Sequence, residues 1–153
     1  MGKEKPNMDF IKEPTKEEVE ALLPQWSWIV PSTATPLFIS IFGDWVFGNP
    51  DGSLSVLSVL EGTYEKVANN AHEYNELNKT PEWCEEVFIA GWYPIALENG
   101  ICPNEGECIG WQVHPIIGGE FSVSNLKVFS VSVYQALMSQ LHSQLQGVAN
   151  ASP

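Results

Sequence analysis

Asn49-Pro50-Asp51-Gly52 stands between two apolar runs, Asp44-Trp45-Val46-Phe47 and Ser53-Leu54-Ser55-Val56-Leu57-Ser58-Val59. The second run alternates with period two, the spacing of a half-buried strand. A proline followed by an Asp-Gly pair is turn chemistry, so the two runs read as an antiparallel hairpin. Leu37-Phe38-Ile39-Ser40-Ile41-Phe42 supplies a further strand before them. Strands joined by tight turns become neighbours in space, which commits the chain to a mostly antiparallel sheet.

The remaining apolar residues follow helical spacing. Pro14-Thr15-Lys16-Glu17-Glu18-Val19 opens a short helix that Pro24 ends. After Gly62-Thr63, the residues Tyr64, Val67, Ala68, Ala71, Tyr74 and Leu77 recur every three or four positions and predict one amphipathic helix capped by Thr63. Thr80-Pro81 starts another, carrying Trp83, Val87 and Phe88; Gly91 and Pro94 interrupt it, and a last turn through Ile95 and Leu97 ends at Asn99-Gly100. Two short strands, 109–113 and 126–129, flank a turn from His114 to Gly119. The final helix places Tyr134, Leu137, Met138, Leu141, Leu145 and Val148 on one face and Ser and Gln on the other. Strands and helices segregated in blocks predict one α+β domain, a mostly antiparallel sheet with helices packed on one side. The expected organisation is an N-terminal tail and short helix over residues 1–35 and the domain over 36–149.

Charge narrows the function classes. The chain has 153 residues and a formal net charge of −12, and all seven basic residues are lysines. Binding a polyanion draws its free energy from cations that neutralise phosphates, so direct nucleic-acid binding is excluded as an expectation. No apolar stretch approaches the roughly 20 residues that span a bilayer, so no membrane partner is expected. Cys84, Cys102 and Cys108 are too few for a disulfide framework, although Cys102 and Cys108 could pair across their loop; a reducing, cytoplasmic location is expected.

No nucleophile, P-loop or zinc-protease signature is present, so no catalytic residue and no cofactor is expected. Cys102, Cys108 and His114 lie too far apart in sequence for paired zinc ligation, so no metal is expected. His72 and His142 read as hydrogen-bonding residues at the core edge. His114 has two readings, an imidazole that holds its turn or a contact at the base of a pocket.

The informative stretch is 80–126, where Glu82, Glu85, Glu86, Glu98, Glu105, Glu107 and Glu120 occur without a single lysine. A solvated acidic face is one reading. The other is a surface for a basic protein partner, with Trp83, Trp92 and Trp111 as aromatic anchors. On that reading the candidate partner-binding residues are Glu85, Glu86, Glu105, Glu107, Trp111, His114 and Glu120.

The run Gly110-Trp111-Gln112-Val113-His114-Pro115-Ile116-Ile117-Gly118-Gly119-Glu120-Phe121, followed by Asn125-Leu126 and by Met138-Ser139-Gln140-Leu141-His142, carries a family resemblance. It resembles a bacterial family of small domains named after the C-terminal domain of type VI secretion immunity proteins that protect against a DNase effector. Phe42-Gly43-Asp44, Pro50-Asp51-Gly52-Ser53 and Leu60-Glu61-Gly62 are similar to the strand-turn-strand portion of that family, so the resemblance spans about residues 36–146. It implies an α+β, non-enzymatic protein that neutralises a toxin, with no catalytic residues to carry over. Joined to the charge pattern, the expected partner is a basic nuclease toxin covered by carboxylates that mimic its substrate. Two other readings stay open: a ligand-binding or enzymatic domain with a pocket near His114, and a self-associating structural or regulatory module using the Ser/Gln face of the last helix.

Overall fold

The computed structural model describes residues 10–147. Residues 1–9 of the expected tail, Val148 of the expected helix stripe and the domain end at 149 lie outside them. Among the described residues, five strands form one antiparallel sheet in sequence order: β1 (Ile11–Lys12), β2 (Thr35–Ser40), β3 (Trp45–Gly48), β4 (Leu54–Ser58) and β5 (Thr63–Ala68). The expected hairpin is present, with Trp45 opposite Leu57 and Val46 opposite Val56. Its turn is closed by the Gly52 N–H donating to the Asn49 carbonyl at 2.9 Å. Two further strands, β6 (Glu107–Trp111) and β7 (Leu126–Ser130), pair antiparallel in a separate sheet. The Ile109 N–H ties that sheet to the Ile41 carbonyl at 2.8 Å.

Helix α1 (Lys16–Leu22) begins with a capping box: the Glu18 N–H donates to Thr15 Oγ1 at 3.0 Å and the Thr15 N–H to Glu18 Oε1 at 2.9 Å. A 3₁₀ turn, Leu23–Trp26, follows it. The helices α2 (Ala71–Leu77), α3 (Pro81–Phe88) and α4 (Trp92–Glu98) come in succession between the sheets, and α5 (Val131–Leu145) ends the described chain. Helix α3 starts on Pro81 as expected, and α4 ends at Asn99-Gly100. None of these helices is long and apolar enough to cross a membrane.

Three expectations change. The helix read from Thr63 onward is half strand: residues 63–68 form β5, paired along β4, and α2 starts only after its N-cap Asn70, whose side chain accepts from the Glu73 N–H at 2.8 Å. The helices, expected on one side, cover both faces of the five-stranded sheet. Val46, Leu54 and Val56 pack with Phe88, Tyr93 and Ala96, whereas Trp45, Phe47 and Leu57 pack with Leu22, Trp26 and Met138. Successive strand residues therefore enter different cores. Lastly, the segment expected to precede the domain packs into it, since Phe10, Leu22, Trp26 and Val30 are all buried.

Helix α5 also turns a different face inward. Gln135, Ser139 and His142 are buried while Leu137 and Leu145 are exposed, so its outer side mixes the expected Ser132, Gln140 and Gln144 with apolar residues. The cause is hydrogen bonding. Gln135 Oε1 accepts from the indoles of Trp26 and Trp45 at 2.6 and 3.0 Å, and its Nε2 donates to the Gly43 carbonyl at 2.8 Å. Ser139 Oγ accepts from the Trp28 indole at 2.9 Å. Buried indoles need acceptors, and this helix supplies them.

Candidate acidic cleft

A cleft of about 480 Å³ opens between the end of β4, strand β5 and helix α3. Asp44, Glu61, Glu65 and Glu86 line it, with Lys66 as the one cation and Trp83 on its wall. Neither ion pair among the described residues, Lys12–Glu18 nor Lys79–Glu76, involves a cleft carboxylate.

Asp44 is the deepest of the four. The turn from β2 to β3 holds it: the N–H groups of Phe42 and Asp44 donate to Ser40 Oγ at 3.2 and 3.1 Å, and the Ser40 hydroxyl lies 3.4 Å from Asp44 Oδ2. The Val59 N–H donates to Asp44 Oδ1 at 2.9 Å. Burial is the dominant influence on this carboxyl and raises its pKa from 3.8 to about 7; the bonds from Val59 and Ser40 oppose the rise, and the charge of Glu61 adds to it. Ile89, which ends α3, also lines the cleft and has a φ of 49°, in the left-handed region that a β-branched residue rarely adopts. Strain of this kind persists where packing holds it, and it collects at functional surfaces.

The peptide of Val59 links the cleft to two histidines. Its carbonyl accepts from His114 Nε2 at 3.1 Å and His142 Nε2 at 2.7 Å, and the two rings meet edge to face at 5.3 Å. The Ile116 N–H donates to His114 Nδ1 at 3.1 Å, which places the His114 proton on Nε2. Burial lowers the pKa of both imidazoles. Gly62 sits against His142 with φ 72°, and a β-carbon there would run into the imidazole. Gly62→Ala should therefore cost about 2–4 kcal/mol, from left-handed strain plus displacement of a buried ring. Urea denaturation measures it, and a loss under 1 kcal/mol would contradict this packing.

The seven residues expected to meet a partner do not gather in one place. Glu86 lines the acidic cleft. Glu85 accepts from the Gly91 N–H at 2.6 Å, and Glu107 accepts from the Asn104 N–H at 2.7 Å, so both brace their own loops. Glu105 and Glu120 are exposed, and Glu120 lines a separate shallow depression. Trp111 and His114 are each only 3% exposed. His114 does hold its turn, and it also lines a depression of about 200 Å³ beside α5. Of the two core-edge histidines, His142 is buried and bonded as expected, while His72 is exposed. Reading the sequence missed Asp44, Glu61 and Glu65 as one group with Glu86. No local pattern marks the group, because its members come from separate elements that only the fold brings together. Cys84, Cys102 and Cys108 are free, burial pushes the Cys108 thiol up to about 12, and among the described residues no group of three or more His, Cys, Asp or Glu could hold a metal ion.

Comparison with known proteins agrees with the fold. The chain is similar to the crystal structure of Atu4351 from Agrobacterium tumefaciens, with a TM-score of 0.59 at 12% identity, covering 86% of this chain and 67% of that one. No curated protein matches it. Residues 68–142, which include the whole Gly110 to Phe121 motif, match the model of the family described as T6SS immunity protein Tdi1, C-terminal, the family that this motif resembles.

Proposed function

We propose that this chain is a non-enzymatic immunity-type protein that neutralises a basic nuclease toxin in the cytoplasm by binding it, and that the cleft of Asp44, Glu61, Glu65 and Glu86 receives cationic side chains of the toxin. The observation that carries the reading is four carboxylates around one cavity with a single lysine. A nuclease holds its substrate with lysine and arginine, so a concave carboxylate surface with an aromatic wall offers those side chains the charge they evolved to meet. Glu105 and Glu120, exposed outside the cleft lining, add to the negative field of the chain, and such surface charge steers encounter more than it adds affinity.

The depression near His114 gives the ligand-binding reading little support. Both ring nitrogens of His114 are engaged by the backbone, so neither is left to polarise a ligand or take its proton.

Charge reversal tests the proposal. Co-expression of the chain with a basic nuclease toxin, should its own gene neighbourhood encode one, is expected to protect growth, and the triple variant Glu61→Lys, Glu65→Lys, Glu86→Lys should lose that protection. Association with the purified toxin should slow about 10–10³-fold in the variant, and wild-type association should fall as salt rises. A triple variant that still protects, with unchanged association rate and salt dependence, would rule the cleft out as the contact.

A further inference from the structure

The second surface that stands out carries no charge. Eight of the ten exposed large hydrophobic residues among the described ones fall between Val113 and Leu145. Ile117 and Phe121 are more than half exposed, as is Val133, and Leu137 is 47% exposed. From residue 128 to 147 there is no Asp, Glu, Lys or Arg, and His142 in that stretch is buried. Isolated exposed apolar residues are ordinary, but Ile117 and Leu137 line one depression and Val133 lies one helical turn before Leu137, so these three share a face, and a shared apolar face marks an interaction surface.

We propose that this face, built from the outer side of α5 and the turn at Ile116–Ile117, pairs two copies of the chain about a two-fold axis. Charge selects this occupant. In a two-fold contact a patch meets its own copy, so any carboxylate-bearing face of a chain with net charge −12 would set carboxylates against carboxylates. The α5 face brings none to the contact. A basic toxin would find no carboxylate on it, whereas an identical neutral face is its electrostatic match. Shape agrees: the depression of about 200 Å³ lined by Ile117, Phe129, Leu137, Met138 and Leu141 lies on the same side as the protruding Val133, and it has room for an aliphatic side chain from the other copy. Val133 and Leu137, one helical turn apart, form the ridge.

Sedimentation velocity on the full chain, from about 1 to 100 µM, reads the outcome through mass action. The expected result is a mass rising with concentration toward twice 17.0 kDa. Raising salt from about 0.05 to 0.5 M should tighten the dimer by screening the net negative charge, opposite to its effect on toxin binding. Leu137→Asp should weaken the dimer at least about tenfold, since it introduces a facing pair of carboxylates. Val133→Lys provides a second, independent disruption. Both positions are exposed, so unchanged circular dichroism confirms folding, and Glu86→Lys should dimerise like wild type. A monomer at the highest concentration and salt would overturn the proposal, and so would a dimer indifferent to both substitutions. Loss of toxin binding in Leu137→Asp, with wild type monomeric throughout, would assign the face to the toxin instead.

Discussion

Gln135→Leu should cost about 3–6 kcal/mol, a large part of the stability of a chain this size. One side-chain amide serves three buried groups on separate parts of the fold: the Trp26 indole after α1, the Trp45 indole on β3 and the Gly43 carbonyl in the β2–β3 turn. An indole N–H can only donate, so both must point at Oε1, and that fixes which way the amide lies. Leucine fills a similar volume and opens no sizeable cavity, but it leaves two fully buried donors without a partner at about 1–3 kcal/mol each and removes a donor from Gly43. Urea midpoints at an unchanged m-value would report the loss as stability. The exposed neighbour substitution Leu137→Ala should stay below about 1 kcal/mol. A Gln135→Leu loss of that size would mean that the indoles find other acceptors.

The same amide explains why the last helix was only partly legible in the sequence. Its existence and length follow from apolar spacing, and Tyr134 and Met138 are buried as that spacing predicts. Its rotation is set by Trp26 and Trp45, which lie 109 and 90 residues away from Gln135, and no periodicity records that demand. The strand β5 was misread for a related reason. Tyr64, Val67 and Ala68 fit a helical stripe together with Ala71, Tyr74 and Leu77, but β4 offers residues 63–68 a ladder of backbone partners. Pairing decided the structure where local spacing was ambiguous. The two-sided sheet, by contrast, had left a trace: Trp45-Val46-Phe47 is continuously apolar, as strands buried on both faces are. The motif around Gly110 was legible because it is local, and the structure supplies its reason, since a β-carbon at Gly110 would collide with the Tyr134 ring. The acidic cleft was not legible. Asp44 comes from the β2–β3 turn, Glu61 from the β4–β5 turn, Glu65 from within β5 and Glu86 from α3, and only strand pairing and the packing of α3 bring them to one cavity.

Asp44→Asn should stabilise the protein in mildly alkaline solution and remove the fall in stability that this carboxyl imposes between about pH 4 and 7. In the folded chain this carboxyl is raised from 3.8 to about 7, so between these values the unfolded chain has released a proton that the folded chain retains. Stability then falls as pH climbs from about 4 to 7, by up to about 4 kcal/mol at the usual 1.36 kcal/mol per pH unit, and the cost is complete above that range. His114 and His142 act with the opposite sign. Their folded pKa values are lowered, so their contribution is full above the ordinary histidine value of 6.5 and is lost as pH falls below it. Between about pH 4 and 6.5 the two effects oppose each other, so the wild-type profile there is flatter than Asp44 alone would make it. Asparagine keeps an acceptor for the Val59 N–H but places an amide N–H₂ near Ser40, so a gain of about 1–4 kcal/mol near pH 8 is expected, with near equality around pH 4.5. Urea midpoints across that range decide the matter, and an unchanged pH profile with no gain near pH 8 would show that Asp44 does not titrate this way. The same carboxyl ties stability to the proposed function. A cationic side chain entering the cleft would favour ionised Asp44, so toxin binding near pH 6.5 should release close to one proton in wild type and none in Asp44→Asn. Calorimetry in buffers of different ionisation enthalpy would count it, and equal proton release by both proteins would separate the buried carboxyl from the binding event.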